Sequence, residues 1–217
     1  MLTLRIEPSL RLMLPARHRA EGMVVVHPSA TDSLGHVVQS LGVPLTEVGE
    51  LRRDGEATAG SAPAGTGVVD VLPAARPQPL DGPPRLLLDV HLGALARRLR
   101  LLGVDAAYAG AEGSQDHELV ERAGAEDRLL LTRDRGLLMR RALRRAAFVR
   151  GQHPDEQLAD VLDRFRLPLA PWSRCTACGG ELREVAKSEV LDRLEPGTRR
   201  TQERFARCLA CGQVYWR

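Results

Sequence analysis

Arg85-Leu-Leu-Leu-Asp89-Val-His-Leu-Gly-Ala-Leu-Ala-Arg-Arg-Leu-Arg-Leu-Leu-Gly103 is the stretch whose reading decides the fold. Three consecutive leucines ending in a carboxylate predict a short strand apolar on both faces. Leucines 92, 95, 99 and 102 then recur at the helical period, and Gly103 is a helix stop. The alternation continues outward. Val104–Tyr108 is a second strand, followed by an acidic, glycine-containing loop and a helix from Asp116. Arg128–Thr132 is a third strand. A helix with Leu137, Leu138, Met139 and Leu143 follows, then a strand at Ala146–Val149 and an amphipathic helix over Pro154–Phe165. Short apolar strands alternating with helices imply an α/β domain with a parallel sheet.

Ligands of an open parallel sheet bind beyond the carboxyl ends of its strands. Asp89 ends the first strand, Asp134 follows the third, and Asp116 starts a helix on the same edge. Hard carboxylate oxygens there suit Mg²⁺ or Mn²⁺, and Arg97, Arg98 and Arg133 are available to clamp phosphates. The plain readings are that Asp116 caps a helix and Asp134 serves a turn. Asp89, directly after three leucines, needs a partner or an ion. His91 is read as a capping or exposed residue.

Five prolines within residues 73–84 break the chain and read as a semi-rigid linker. Before them, residues 1–72 run strand (Leu2–Ile6), strand (Met23–His27), helix (Ser33–Leu41, capped by Asp32 or Thr31), strand (Glu47–Arg53) and strand (Gly67–Leu72). The order resembles the ubiquitin-like β-grasp fold (α+β), with Leu41-Gly-Val-Pro44, Glu47-Val48 and the Asp54-Gly55 turn as its closest points. A partner-binding or spacer role is expected of it.

Beyond residue 168 lie the only four cysteines, Cys175-Thr-Ala-Cys178-Gly and Cys208-Leu-Ala-Cys211-Gly, with 29 residues between the pairs. Two such knuckles supply four thiolates to a structural Zn²⁺ and leave no open coordination position, as in a zinc ribbon spanning 169–217. Tyr215 and Trp216 pack that small core or stack on bases.

Aromatics are 3% of the chain, so its cores are Leu/Val/Ala. The net charge is +3, made up of −2 over residues 1–84, +4 over 85–150 and +1 over 151–217, which makes the middle the polyanion-facing part. The run Arg140-Arg-Ala-Leu-Arg-Arg145 is spread around a predicted helix as either a solvated face or an RNA-backbone contact. With neither a signal-peptide pattern nor an 18-residue apolar run, a cytoplasmic protein without membrane contact is expected. No Walker loop, GxSxG elbow or HExxH pair is present, which excludes the commonest NTPase, serine hydrolase and zincin readings.

Leu-Leu-Leu-Asp89, Leu92-Gly-Ala-Leu-Ala-Arg97-Arg-Leu-Arg-Leu-Leu-Gly103, Asp116-His-Glu-Leu and Leu131-Thr-Arg-Asp134 together resemble the mutator-seven C-terminal RNase family. Its members are PIN-like nucleases, and bacterial ones join a ubiquitin-like domain to a zinc ribbon. The resemblance implies a PIN-like domain over 85–168 that hydrolyses RNA with Mg²⁺ or Mn²⁺. It also implies Asp89, Asp116 and Asp134 as the acidic set, beside which Arg97 and Arg133 are the arginines expected to face the substrate. Many PIN-like nucleases carry a further acidic residue after Thr-x-Asp. Here Gly136 and apolar residues follow, leaving Glu118 or Asp155 as substitutes. The rival expectations are a non-catalytic RNA-binding adaptor and a protein-interaction scaffold.

Overall fold

The computed structural model describes residues 1–80, 82–110 and 115–217. Residues 111–114 of the loop expected after the second parallel strand lie outside them.

The N-terminal unit holds β1 (Leu2–Ile6), α1 (Ala16–Arg19), β2 (Met23–Val26), α2 (Leu34–Ser40), β3 (Val48–Arg53), β4 (Glu56–Thr58) and β5 (Gly67–Pro73). Its sheet runs β2-β1-β5-β3-β4, with β1 and β5 parallel at the centre. Alternating Leu2, Leu4 and Ile6 point into a core with Val69, Val71 and the α2 residues Leu34, Val37 and Val38. The α2 cap is Ser33, whose hydroxyl accepts from His36 N; Asp32 instead accepts from Ser29 N. β4, a three-residue strand in the glycine-rich loop, escapes periodicity because it is too short to show any.

The middle unit holds β6 (Arg85–Leu88), α3 (Gly93–Leu101), β7 (Asp105–Tyr108), α4 (Asp116–Ala125), β8 (Leu129–Thr132), α5 (Arg135–Leu138), β9 (Ala146–Phe148) and α6 (Pro154–Phe165). The strands form one parallel sheet in the order β7-β6-β8-β9. Its leucine runs are continuous because both faces are covered. Leu86, Leu88, Leu129 and Leu131 pack with α3 and α6, whereas Leu87 and Leu130 pack with α4 and α5. The expected long fifth helix stops at Leu138, so Arg140–Arg145 lie in turns rather than around a helix.

The C-terminal unit holds β10 (Leu182–Val185), α7 (Pro196–Thr201), β11 (Phe205–Cys208) and β12 (Val214–Trp216). Its antiparallel sheet β10-β11-β12 carries a small core around Phe205. Gly103 brings the connection from α6 close to α3. Its φ is +84°, and a Cβ there would meet Ala170 O at 1.9 Å.

The proline-rich stretch is held against α6: Arg76 pairs with Asp160 and Asp163, and Arg164 Nε donates to Gln78 Oε1 at 2.8 Å. Among the described residues no helix is long and apolar enough to cross a membrane.

Candidate active site

Because β6 and β8 are adjacent and parallel, their carboxyl ends emerge side by side, with Leu88 opposite Leu131. Asp89 N donates to Leu131 O at 3.0 Å, which carries the pairing one residue further. Asp89 is only 4% exposed, and each of its carboxylate oxygens accepts one hydrogen bond. Oδ1 accepts from Val90 N and Oδ2 from the Thr132 hydroxyl, both at 2.6 Å. Thr132 Oγ1 in turn accepts from Asp134 N at 2.9 Å. One buried hydroxyl therefore fastens two acidic loops together. The sequence signal for it was the Thr in Thr-Arg-Asp134, to which residue types alone gave no role.

Asp134 is exposed and caps α5, its Oδ1 accepting from Gly136 N at 2.7 Å and Leu137 N at 3.4 Å. Its cleft, about 590 Å³, is lined by His91, Arg133, Arg135 and Gly136. Arg133 is steadied by a bond to Gln152 Oε1 at 3.1 Å.

Asp116 is the first residue of α4, and its carboxylate is held by Arg140 at 2.9 Å. Asp89, Asp116 and Asp134 do not close into a common cage. Among the described residues the one group of three or more His, Cys, Asp or Glu with ligand atoms within 4.8 Å is the cysteine tetrad. The two substitute acids are also engaged elsewhere: Glu118 accepts from Gln115 N, and Asp155 pairs with Arg98. Arg97 is exposed in a hollow with Ala94, Leu101 and Thr176 that shares no lining residue with the Asp134 cleft. The structure thus links the Asp89 carboxylate to the main chain of Asp134 through Thr132, pairs Asp116 with Arg140, and sets Arg97 in a different hollow. In donor chemistry the carboxylates suit a small divalent ion such as Mg²⁺ or Mn²⁺ that keeps most of its waters.

The cysteine site differs in kind. Cys175 and Cys211 sulfurs are 3.7 Å apart, and those of Cys178 and Cys208 3.5 Å. Four thiolates at the usual zinc–sulfur distance sit about 3.8 Å from each other, so the tetrad has the size to hold such a metal. Burial disfavours the Cys175 thiolate, but the Tyr215 hydroxyl and the Cys178 and Ala177 amides bring its pKa down to about 6. Burial pushes Cys178 up to about 12. Tyr215 also bonds Thr176, so this ring belongs to the knuckle. From α3, the buried Arg100 donates to Ala177 O at 2.7 Å inside the first knuckle and to Ala106 O at 2.7 Å on β7.

Comparison with protein families gives two matches. A family model described as Mut7-C RNAse domain covers residues 84–217, and one described as Mut7-C ubiquitin covers residues 1–78. No curated protein and no solved structure matches the chain.

Proposed function

The chain belongs to the Mut7-C RNAse family, and from that premise we propose that it is a divalent-metal-dependent ribonuclease working at the carboxyl edge of its parallel sheet. The observation that carries the reading is the Thr132 hydroxyl, which donates to the buried Asp89 carboxylate and accepts from the main-chain N of Asp134, tying the Asp89 loop to a residue that lines an arginine-walled cleft. Asp89 and Asp134 would hold Mg²⁺ or Mn²⁺, with Asp116 completing the set once Arg140 turns toward a substrate phosphate. Bound there, such an ion activates water and offsets charge on the phosphoryl oxygens. The chain's own residues do the positioning. Thr132 fixes the Asp89 carboxylate, the α5 amides fix that of Asp134, and Arg133 orients the phosphate from the cleft wall. Arg97 contacts RNA further along its own face. The cysteine tetrad holds Zn²⁺ in a structural role.

A second reading is favoured by one observation: Asp116 is occupied by Arg140. In it the acidic set no longer binds metal, and the protein is an RNA-binding adaptor. End-labelled single-stranded and structured RNAs, incubated with Mn²⁺, Mg²⁺ or EDTA, separate the two. Metal-dependent cleavage that Asp89→Asn and Asp134→Asn abolish supports the nuclease. Binding without cleavage under every condition supports the adaptor.

A further inference from the structure

Arg135 Nη1, one residue past Asp134, donates across the seam between the two larger units to Met13 O at 2.9 Å. The Asp134 cleft does not end there. Arg135 and Gly136 also line a second hollow of about 500 Å³, whose far wall is Met13–Ala16, Arg19 and Ser40–Gly42 of the ubiquitin-like unit. Where that wall ends at Ser40 and Met139, the next residues along each chain, Gln39 and Arg140, line a third hollow of about 360 Å³ with His36 and Arg141. The three succeed one another along α5 and the turn after it, the second and third also touching α2, and each is of ligand-cleft size.

Their charge is one-sided. The linings contain Arg19, Arg133, Arg135, Arg140 and Arg141, against Asp134 as the one acidic residue. Among the described residues, only Arg140 of these five has a carboxylate partner. Arg19 and Arg135 spend bonds on carbonyls, Arg133 on an amide oxygen, and Arg141 makes no side-chain hydrogen bond among the described residues. Among the described residues elsewhere, some exposed arginines, such as Arg5, Arg52 and Arg204, are paired with acids and others, such as Arg17 and Arg97, are not, so it is their concave alignment that sets these five apart. A concave row of unneutralised guanidinium groups starting at the proposed site fits a run of phosphates.

We infer that this seam is the path of a single RNA strand leading away from Asp134, with the ubiquitin-like unit forming one wall of the substrate track. The inference rests on the ribonuclease reading for the identity of the strand. A groove between two units admits one backbone rather than the broad face of a duplex. Its linings contain no Phe, Tyr or Trp, only the rings of His36 and His91, so affinity comes mainly from phosphate contacts. Strong salt dependence follows, with log K falling by about 0.7 per contacted phosphate for each tenfold rise in salt.

The test is fluorescence anisotropy of the full chain with EDTA present, at several salt concentrations. The probes are a labelled single-stranded RNA of about 12 nucleotides and its first ~3 nucleotides, lengths within and below the usual range of single-strand sites. The Arg19→Glu/Arg141→Glu variant should bind the long RNA at least about tenfold more weakly and lose about 1.4 from the salt slope, two contacts' worth. Binding of the short RNA should be retained. Arg141→Glu alone, which breaks no side-chain hydrogen bond among the described residues, should give about half the slope change. Equal losses on both RNAs, an unchanged slope, or failure of the unaltered chain to bind the long RNA overturns the track. The assay needs no cleavage. An inactive protein that passes it keeps the track and loses the nuclease, and cleavage by a chain that fails it does the reverse.

Discussion

Glu47 and Arg164 form an ion pair sealed inside the protein, with Arg164 Nη1 2.9 Å from both Glu47 oxygens and neither side chain more than 3% exposed. One residue comes from the ubiquitin-like unit and the other from α6 of the nuclease unit. Glu47 also accepts from Phe148 N at 2.8 Å, and Arg164 also donates to Gln78, so each charge is well satisfied. Removing one partner strands the other charge in a dry joint. Glu47→Ala should destabilise the chain by about 3–5 kcal/mol in urea unfolding, whereas Glu47→Leu with Arg164→Met should cost far less. A Glu47→Ala cost near the ~0–1 kcal/mol of a surface pair would mean that the joint opens in solution. Limited proteolysis in the proline-rich stretch should accordingly leave residues 85–217 less stable than the whole, with Arg164 unpartnered.

Thr132 both donates to Asp89 and accepts from Asp134. Thr132→Val removes both bonds at constant shape, leaving a buried carboxylate oxygen and an amide unpaired, at about 1–3 kcal/mol in stability. Thr132→Ser should restore most of that loss and of the RNA cleavage. Asp89→Asn or Asp134→Asn should lower cleavage at least about a hundredfold, roughly 2.7 kcal/mol of transition-state stabilisation. Undiminished, EDTA-insensitive cleavage by the double mutant would end the metal-nuclease proposal.

Arg140 occupies the carboxylate that a third metal ligand would need. Arg140→Ala should therefore tighten Mn²⁺ binding, measured by loss of the free-ion paramagnetic resonance signal, and adding Asp116→Asn should cancel the gain. Identical Mn²⁺ affinity in all three chains would take Asp116 out of the acidic set.

Arg100 couples the cysteine site to the nuclease sheet by bonding Ala177 in the knuckle and Ala106 on β7. Burial lowers its pKa, opposed by the negative charge of Cys178 and Cys175. Arg100→Met should weaken zinc retention about tenfold or more, the usual scale for groups supporting metal ligands. Chelation should speed hydrogen exchange in Asp105–Tyr108 as well as in the knuckles. Exchange confined to the knuckles would show the two units to be independent.

In the zinc-free chain the folded Cys175 pKa, about 6, lies below its ordinary value of 9.0. A depressed acid stabilises the fold above its unfolded pKa, and that contribution disappears as pH falls through the folded one. The melting temperature of the chelated protein should thus decline from about pH 9 toward pH 6, and Tyr215→Phe should flatten the decline. A pH-independent melting point would refute the assignment of a Cys175 thiolate.

The sequence by itself determined the strand and helix order of the nuclease unit. Three leucines in a row admit a strand covered on both faces, and the leucine period with Gly103 admits a helix that stops there. Two cysteine knuckles likewise carry their own geometry, since four sulfurs on two tight turns have few ways to meet. Proximity through space was left to the tertiary structure. The capture of Asp116 by Arg140, the Thr132 link between Asp89 and Asp134, and the hollow that separates Arg97 from that cleft depend on side-chain rotamers and strand register. The Glu47–Arg164 joint spans 117 positions, and no period or motif connects residues so far apart. A local pattern records which face of an element is buried; only packing fixes which element from elsewhere covers it.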